Sequence, residues 1–149
     1  MYSDKQNVNI LTAQLINADI HDIVVCPGSR NAPLVHNFFE ATEALNCFRL
    51  HPVTDERSAA FYAIGVWLAT RKPVAVCVTS GSALLNTIPG VAEAYYRHIP
   101  LVIISADRPP QWIGQLDGQT IPQNDALYPY AQTVQIDEKP SVVAVPAYN

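Results

Sequence analysis

The polar residues with chemical potential fall in four short runs: Pro27-Gly28-Ser29-Arg30, Thr54-Asp55-Glu56-Arg57, Thr79-Ser80-Gly81-Ser82 and Ser105-Ala106-Asp107-Arg108-Pro109-Pro110. Each follows a short stretch that reads as a strand. Ser29 and Arg30 lie where a strand would end and a helix begin. Backbone N–H groups face outward at such a place and favour anions, and a guanidinium can grip a carboxylate through two parallel hydrogen bonds. The plainer alternative is that Ser29 caps the helix and Arg30 is solvated. Asp55 and Glu56 divide in the same way. Asp55 is a natural N-cap, and Glu56 suits the first turn of a helix dipole. Alternatively, Glu56 is a carboxylate held at a strand end beside an Ala-rich helix, able to hydrogen-bond a heterocycle nitrogen. Two prolines fix the backbone after Arg108 and would aim it; the bland alternative is a surface contact with Asp107. Thr79-Ser80-Gly81 is either a ligand cradle or a capped helix entry.

Other chemistries find no support. There is no GxxxxGK[ST], no GxGxxG after the first strand and no GxSxG, so phosphate-loop, dinucleotide and nucleophile-elbow sites are not indicated. Cys26, Cys47 and Cys77 form no CxxC and no Cys/His metal spacing; they read as buried, reduced thiols of a cytosolic protein, with no metal site. His21, His36, His51 and His98 are scattered, with no acid or nucleophile at a telling distance, and read as surface or satisfied residues. Trp67 reads as core. Trp112 falls in a polar loop and could be a lid or a contact with another domain.

The elements that must position these runs follow from periodicity. Val8, Leu11, Leu15 and Ile16 recur at helical spacing, predicting a helix over about 5–18. Residues 23–26, 73–78 and 100–105 are short apolar runs that read as strands buried on both faces; 48–53 is a fourth candidate. A second helix is expected over 34–45. A third begins at Asp55, with Ala60, Ala63, Ile64, Trp67 and Leu68 on one face. A fourth is expected over about 83–98, kinked at Pro89-Gly90. Residues 111–124 read as a polar loop, followed by a short helix near 124–129 and a strand near 132–136. Alternating strands and helices imply an α/β, doubly wound, mostly parallel sheet with helices on both faces. In such sheets ligands sit at the carboxyl ends of the strands, which is where the four polar runs fall.

Composition narrows the function further. The chain has 149 residues, 49% hydrophobic and only 15% charged, against roughly 25% charged in a typical soluble domain. That low charge suggests a surface partly meant for burial. The net charge of −4 disfavours a non-specific nucleic-acid binder. The polar N-terminus is not a signal peptide, and the apolar runs are far short of the roughly 18 residues that span a bilayer. A soluble, cytoplasmic protein with no membrane or nucleic-acid partner is expected.

Taken together, CPGSRNAPL, HPVTDERSAAFYAIGVWLATRKPVAVCVTSGSALLN and PLVIISADRPP resemble the N-terminal pyrimidine-binding domain of thiamine-diphosphate-dependent enzymes, over about Gln6 to Ile136. Within that family the motif set is most similar to the synthases of menaquinone biosynthesis. The resemblance implies a reaction in which 2-oxoglutarate is decarboxylated on thiamine diphosphate and the succinyl unit is added to isochorismate. It makes Glu56 the cofactor-activating residue, donating a proton to the pyrimidine ring nitrogen. Burial beside Ala59 and Ala60 would favour that role. It places Pro27, Thr79 and Asn86 near the pyrimidine ring. It assigns Ser29, Arg30, Arg108 and Gln119 to the carboxylate substrates; Gly118 stands where some relatives have Asn.

The family binds the diphosphate through Mg2+ on a GDG…N motif of a separate C-terminal domain, and no GDG occurs here. The expectation is therefore a pyrimidine-binding domain over 1–137, with 138–149 starting a linker to a central domain. The other half of the cofactor site would come from a partner subunit, so at least a homodimer is expected, inactive as this fragment alone. The competing readings are an acetolactate-synthase-like or 2-oxo-acid decarboxylase domain, and a stand-alone ligand-binding module that would not need Glu56.

Overall fold

The computed structural model describes residues 3–136. Four short strands form one sheet: β1 (Asp22–Val25), β2 (Arg49–Pro52), β3 (Val74–Val78) and β4 (Leu101–Ser105). All pairings are parallel, in the order β2-β1-β3-β4. The chain leaves β1 toward one side for β2, then returns to the other side for β3. The crevice at this reversal, between the ends of β1 and β3, is where doubly wound sheets hold ligands.

The strands alternate their side chains between two helical layers, as period-two geometry requires. Ile23, Val25, Ala75 and Cys77 pack with Val8, Leu15 and Phe38, which belong to α1 (Gln6–Asn17) and α2 (Ala32–Leu45). On the other face, Val24, Val74, Val76 and Val78 meet Ala59 and Ala63 of α3 (Glu56–Thr70). The small alanines let α3 lie close to the sheet. The expected doubly wound α/β architecture is thus the observed one.

Four local expectations are corrected. The helix expected over 83–98 is two helices, α4 (Ser82–Asn86) and α5 (Ile88–Tyr96), and the break is at Thr87 rather than at Pro89-Gly90. Pro89 has no N–H to continue α4 and fits only the first turn of a new helix. Buried Thr87 closes α4 by donating its hydroxyl to the Leu84 carbonyl at 2.7 Å. Gly90 is a packing residue: a Cβ there would lie 2.5 Å from Ala60 Cβ of α3. Residues 124–130 form successive turns, not a helix, because Asp125 takes φ +59°. Residues 132–136 pair with no strand, and Val134 is half-exposed with no buried face to serve. On α3, Leu68 is exposed rather than part of the inner face. Residues 137–149, including the expected linker, lie outside the described residues.

Candidate functional site

Because every strand is parallel, the four polar runs share one edge. The β1 and β3 turns come closest. A Cβ on Gly28 would stand 2.6 Å from Thr79 Cβ, so only glycine lets the two turns approach this far. Asn31, fully buried, fixes the first turn from inside by donating its amide to the Cys26 carbonyl at 2.8 Å. It is also the N-cap position of α2, which corrects the alternative that Ser29 caps this helix. Ser29 and Pro27 are exposed instead, and Arg30 is half-buried.

The start of α3 separates two carboxylates that look alike in sequence. Asp55 Oδ2 accepts the Ser58 N–H at 2.8 Å and caps the helix. That hydrogen bonding holds the Asp55 carboxyl below its ordinary range. Glu56 is thereby not needed as the cap. It is half-buried rather than enclosed as expected, and its Oε2 accepts from the Asn86 amide at 3.4 Å. Thr79 is buried beside these turns with its hydroxyl unpartnered. Such an orphaned group is the kind that a ligand satisfies.

Arg30 and Arg108 form the second part of the site. Arg30 donates to Gln119 Oε1 at 3.0 Å and to the Gly118 carbonyl at 2.8 Å. Arg108 pairs with Asp117 at 2.7 Å, not with the Asp107 side chain. It also lies 5.9 Å from the centre of the Trp112 ring, so Trp112 backs the arginine from a short 3-10 turn at Pro110–Trp112. The Asp107 carboxylate instead accepts the Arg108 backbone N–H at 2.7 Å. Loss of water around the Asp107 carboxyl pushes it up from the ordinary range, against the pull of that hydrogen bond and of Arg30. The Nε atoms of both arginines are buried and lack a partner. Two guanidiniums with unused donors on one edge suit an anion with carboxylate groups.

All the sequence-derived candidates therefore lie on this edge or on the loop above it. Gln119 reaches the group through Arg30, and Asn86 through Glu56. The sequence reading missed Asn31, Asp117 and Gln123. Each is a polar residue in a loop or turn, and only tertiary contacts distinguish it from a solvated one. The thiols stay structural: burial pushes Cys26 and Cys77 up to about 12, and all three cysteines are free. Cys47 is half-buried, not buried. His21 and His51 are satisfied as expected, but each has an acidic partner that the sequence did not reveal, Asp19 and Asp22. Among the described residues no group of His, Cys, Asp and Glu could hold a metal ion, and no helix is long and apolar enough to cross a membrane.

Most of the chain is similar to known proteins. The chain is 56% identical over 123 residues to 2-succinyl-5-enolpyruvyl-6-hydroxy-3-cyclohexene-1-carboxylate synthase of Phocaeicola vulgatus, covering 83% of this chain and 21% of that enzyme. The same coverage and identity hold for the synthase of that name from Bacteroides thetaiotaomicron. The one from Desulfotalea psychrophila is 42% identical over 94% of this chain and 26% of its own length. The chain thus spans about a fifth to a quarter of the relatives it matches. Residues 6–128 match the family model described as thiamine pyrophosphate enzyme, N-terminal TPP binding domain. That match covers most of the chain and the parallel α/β sheet is consistent with it, so the chain belongs to the thiamine pyrophosphate enzyme family, as its N-terminal TPP binding domain.

Proposed function

We propose that this chain is the pyrimidine-binding part, over about residues 1–137, of a synthase that decarboxylates 2-oxoglutarate and joins the succinyl unit to isochorismate in menaquinone biosynthesis. The observation that carries the reading is the division of labour at α3. Asp55 alone caps the helix, which leaves Glu56 at the strand edge for another task. The relatives are named as synthases of a succinyl-bearing cyclohexene carboxylate, which supports transfer of a succinyl unit.

The residues present suit the pyrimidine end of thiamine diphosphate. Glu56 offers a carboxyl, Asn86 orients it, and buried Thr79 has a hydroxyl without a partner. Exposed Pro27 forms the rim. When bound, the cofactor supplies the electron sink that decarboxylation of a 2-oxo acid needs. Glu56 would exchange a proton with the pyrimidine ring nitrogen. Arg30 and Arg108, with Ser29 and Gln119 beside them, would hold and orient substrate carboxylates, and their fixed placement favours a productive geometry. Among the described residues no group of His, Cys, Asp and Glu could hold the Mg2+ that accompanies the diphosphate. Both would fall to another domain, contributed by a second subunit of at least a homodimer. Exposed Tyr95, Tyr96 and Tyr128 suit such an interface. A cytoplasmic location and small-molecule substrates, without nucleic-acid or membrane partners, complete the proposal.

The test is an assay of the full-length enzyme with thiamine diphosphate and Mg2+. It should release CO2 from 2-oxoglutarate and form the succinyl adduct once isochorismate is added, while the 149-residue chain alone stays inert. Turnover of pyruvate with no use of 2-oxoglutarate would instead identify an acetolactate-synthase-like enzyme.

A further inference from the structure

The substrate-side residues do not hold themselves in place. Gln119 and Gly118, which meet Arg30, belong to a loop with little regular structure, and Gln119 is exposed with φ +56°. What fixes this loop is a cluster beneath it. Ser80, fully buried, donates its hydroxyl to the Gln119 carbonyl at 2.7 Å. Gly81 takes φ +78°, and a Cβ there would lie 2.9 Å from three Gln119 backbone atoms, so the β3 turn and the loop touch backbone to backbone. Gln123 is buried and uses both ends of its amide. Its Oε1 accepts the Gly81 N–H at 2.6 Å, and its Nε2 donates to Ser105 Oγ at 3.1 Å and to the Ala106 carbonyl at 3.0 Å. One side chain thereby ties the loop to the ends of both β3 and β4, four residues after Gln119.

We infer that Gln123 and Ser80 are positioning residues for substrate. They clamp the loop to the strand ends so that Gln119 and the Gly118 carbonyl set the Arg30 guanidinium for a carboxylate. This rests on the proposal that Arg30 receives substrate. Neither residue is required to touch the substrate. The chemistry of the clamp explains the residue types: a Gln supplies an acceptor and a donor at the two ends of one planar group, and a Ser hydroxyl reaches a backbone carbonyl that no strand partner satisfies.

The experiment compares Ser80→Ala and Gln123→Met in the full-length enzyme. Methionine keeps the length of the glutamine and removes only its hydrogen bonds. Ser80→Ala deletes one oxygen, which keeps the test available should Gln123→Met fail to fold. Each variant is expected to raise KM about five- to fiftyfold for whichever of 2-oxoglutarate and isochorismate Arg30→Ala affects, with kcat within about twofold. Affinity for thiamine diphosphate, read by titration, should be unchanged. In an Arg30→Ala background the two substitutions should add little, because they act through Arg30. A purely structural role would lower Tm and weaken cofactor and substrate alike, which would overturn the inference. So would full-sized KM effects persisting without Arg30. If Arg30→Ala raises KM but neither clamp variant does, the inference alone is wrong. If Arg30→Ala leaves both KM values unchanged, the substrate reading fails and the inference falls with it.

Discussion

Arg30 and Arg108 are held in different ways, and the difference bears on what their loss would do. Arg30 rests on neutral loop acceptors, whereas Arg108 is matched by the Asp117 carboxylate. Each retains a buried, unpartnered Nε. Arg30→Ala and Arg108→Ala should each remove a charge-assisted contact of about 1.5–3 kcal/mol, a loss of roughly ten- to a hundredfold in kcat/KM for substrate. Thiamine diphosphate affinity, measured by calorimetry on the same variants, should stay close to wild type. Comparable losses of cofactor affinity in both variants would place these arginines at the wrong ligand. Both arginines were legible in the sequence because each falls in the short polar run after a strand, Arg30 two residues after Gly28 and Arg108 immediately before Pro109-Pro110. Their partners were not. Asp117 reads as one more loop acid until the fold carries it to Arg108.

Beside the backbone ladder, a single buried acid in β1 ties the side chains of edge strand β2 to the sheet. Asp22 is almost fully buried and accepts from Arg49 Nε at 2.8 Å and from His51 Nε2 at 2.9 Å. The Arg49 guanidinium, opposing the cost of burial, holds its carboxyl below the ordinary range. Stability from such a group is fully present above the unfolded value of about 3.9 and is lost as pH falls through the lower folded value. Asp22→Asn should therefore cost about 1.5–3 kcal/mol at neutral pH, the range for hydrogen bonds to charged groups. The gap from wild type should shrink as pH drops below about 4. Urea unfolding at pH 7 and pH 3.5 checks this, and a gap that is constant with pH would refute it. At this scale the sequence carried most elements, since uninterrupted runs such as VAVCV fit only a strand covered on both faces. It did not carry the β2 tether, because Asp22 lies 27 residues before Arg49 and 29 before His51. Nor did it place the α4–α5 break, which one buried hydroxyl and one missing N–H decide together.

For the molecule as a whole, alternation of strand and helix settled the class of fold, and parallel strands then gathered the four polar runs on one edge. The closeness of the β1 and β3 turns at Gly28 and the clamp at Gln123 are properties of the assembled sheet, so no local pattern announces them. The central claim is that this domain supplies the activating carboxylate while the diphosphate is anchored elsewhere. Glu56→Gln in the full-length enzyme tests it most directly. Glutamine keeps the volume and the contact with Asn86 but cannot pass a proton, and the helix start loses only a dipole contact of about 0.3–1 kcal/mol. Exchange of the C2 proton of bound thiamine diphosphate, followed by acid quench and NMR, should slow by orders of magnitude in Glu56→Gln while Tm and substrate affinity hold. Exchange at the wild-type rate with a lowered Tm would contradict the account and leave Glu56 as a residue of the helix start alone.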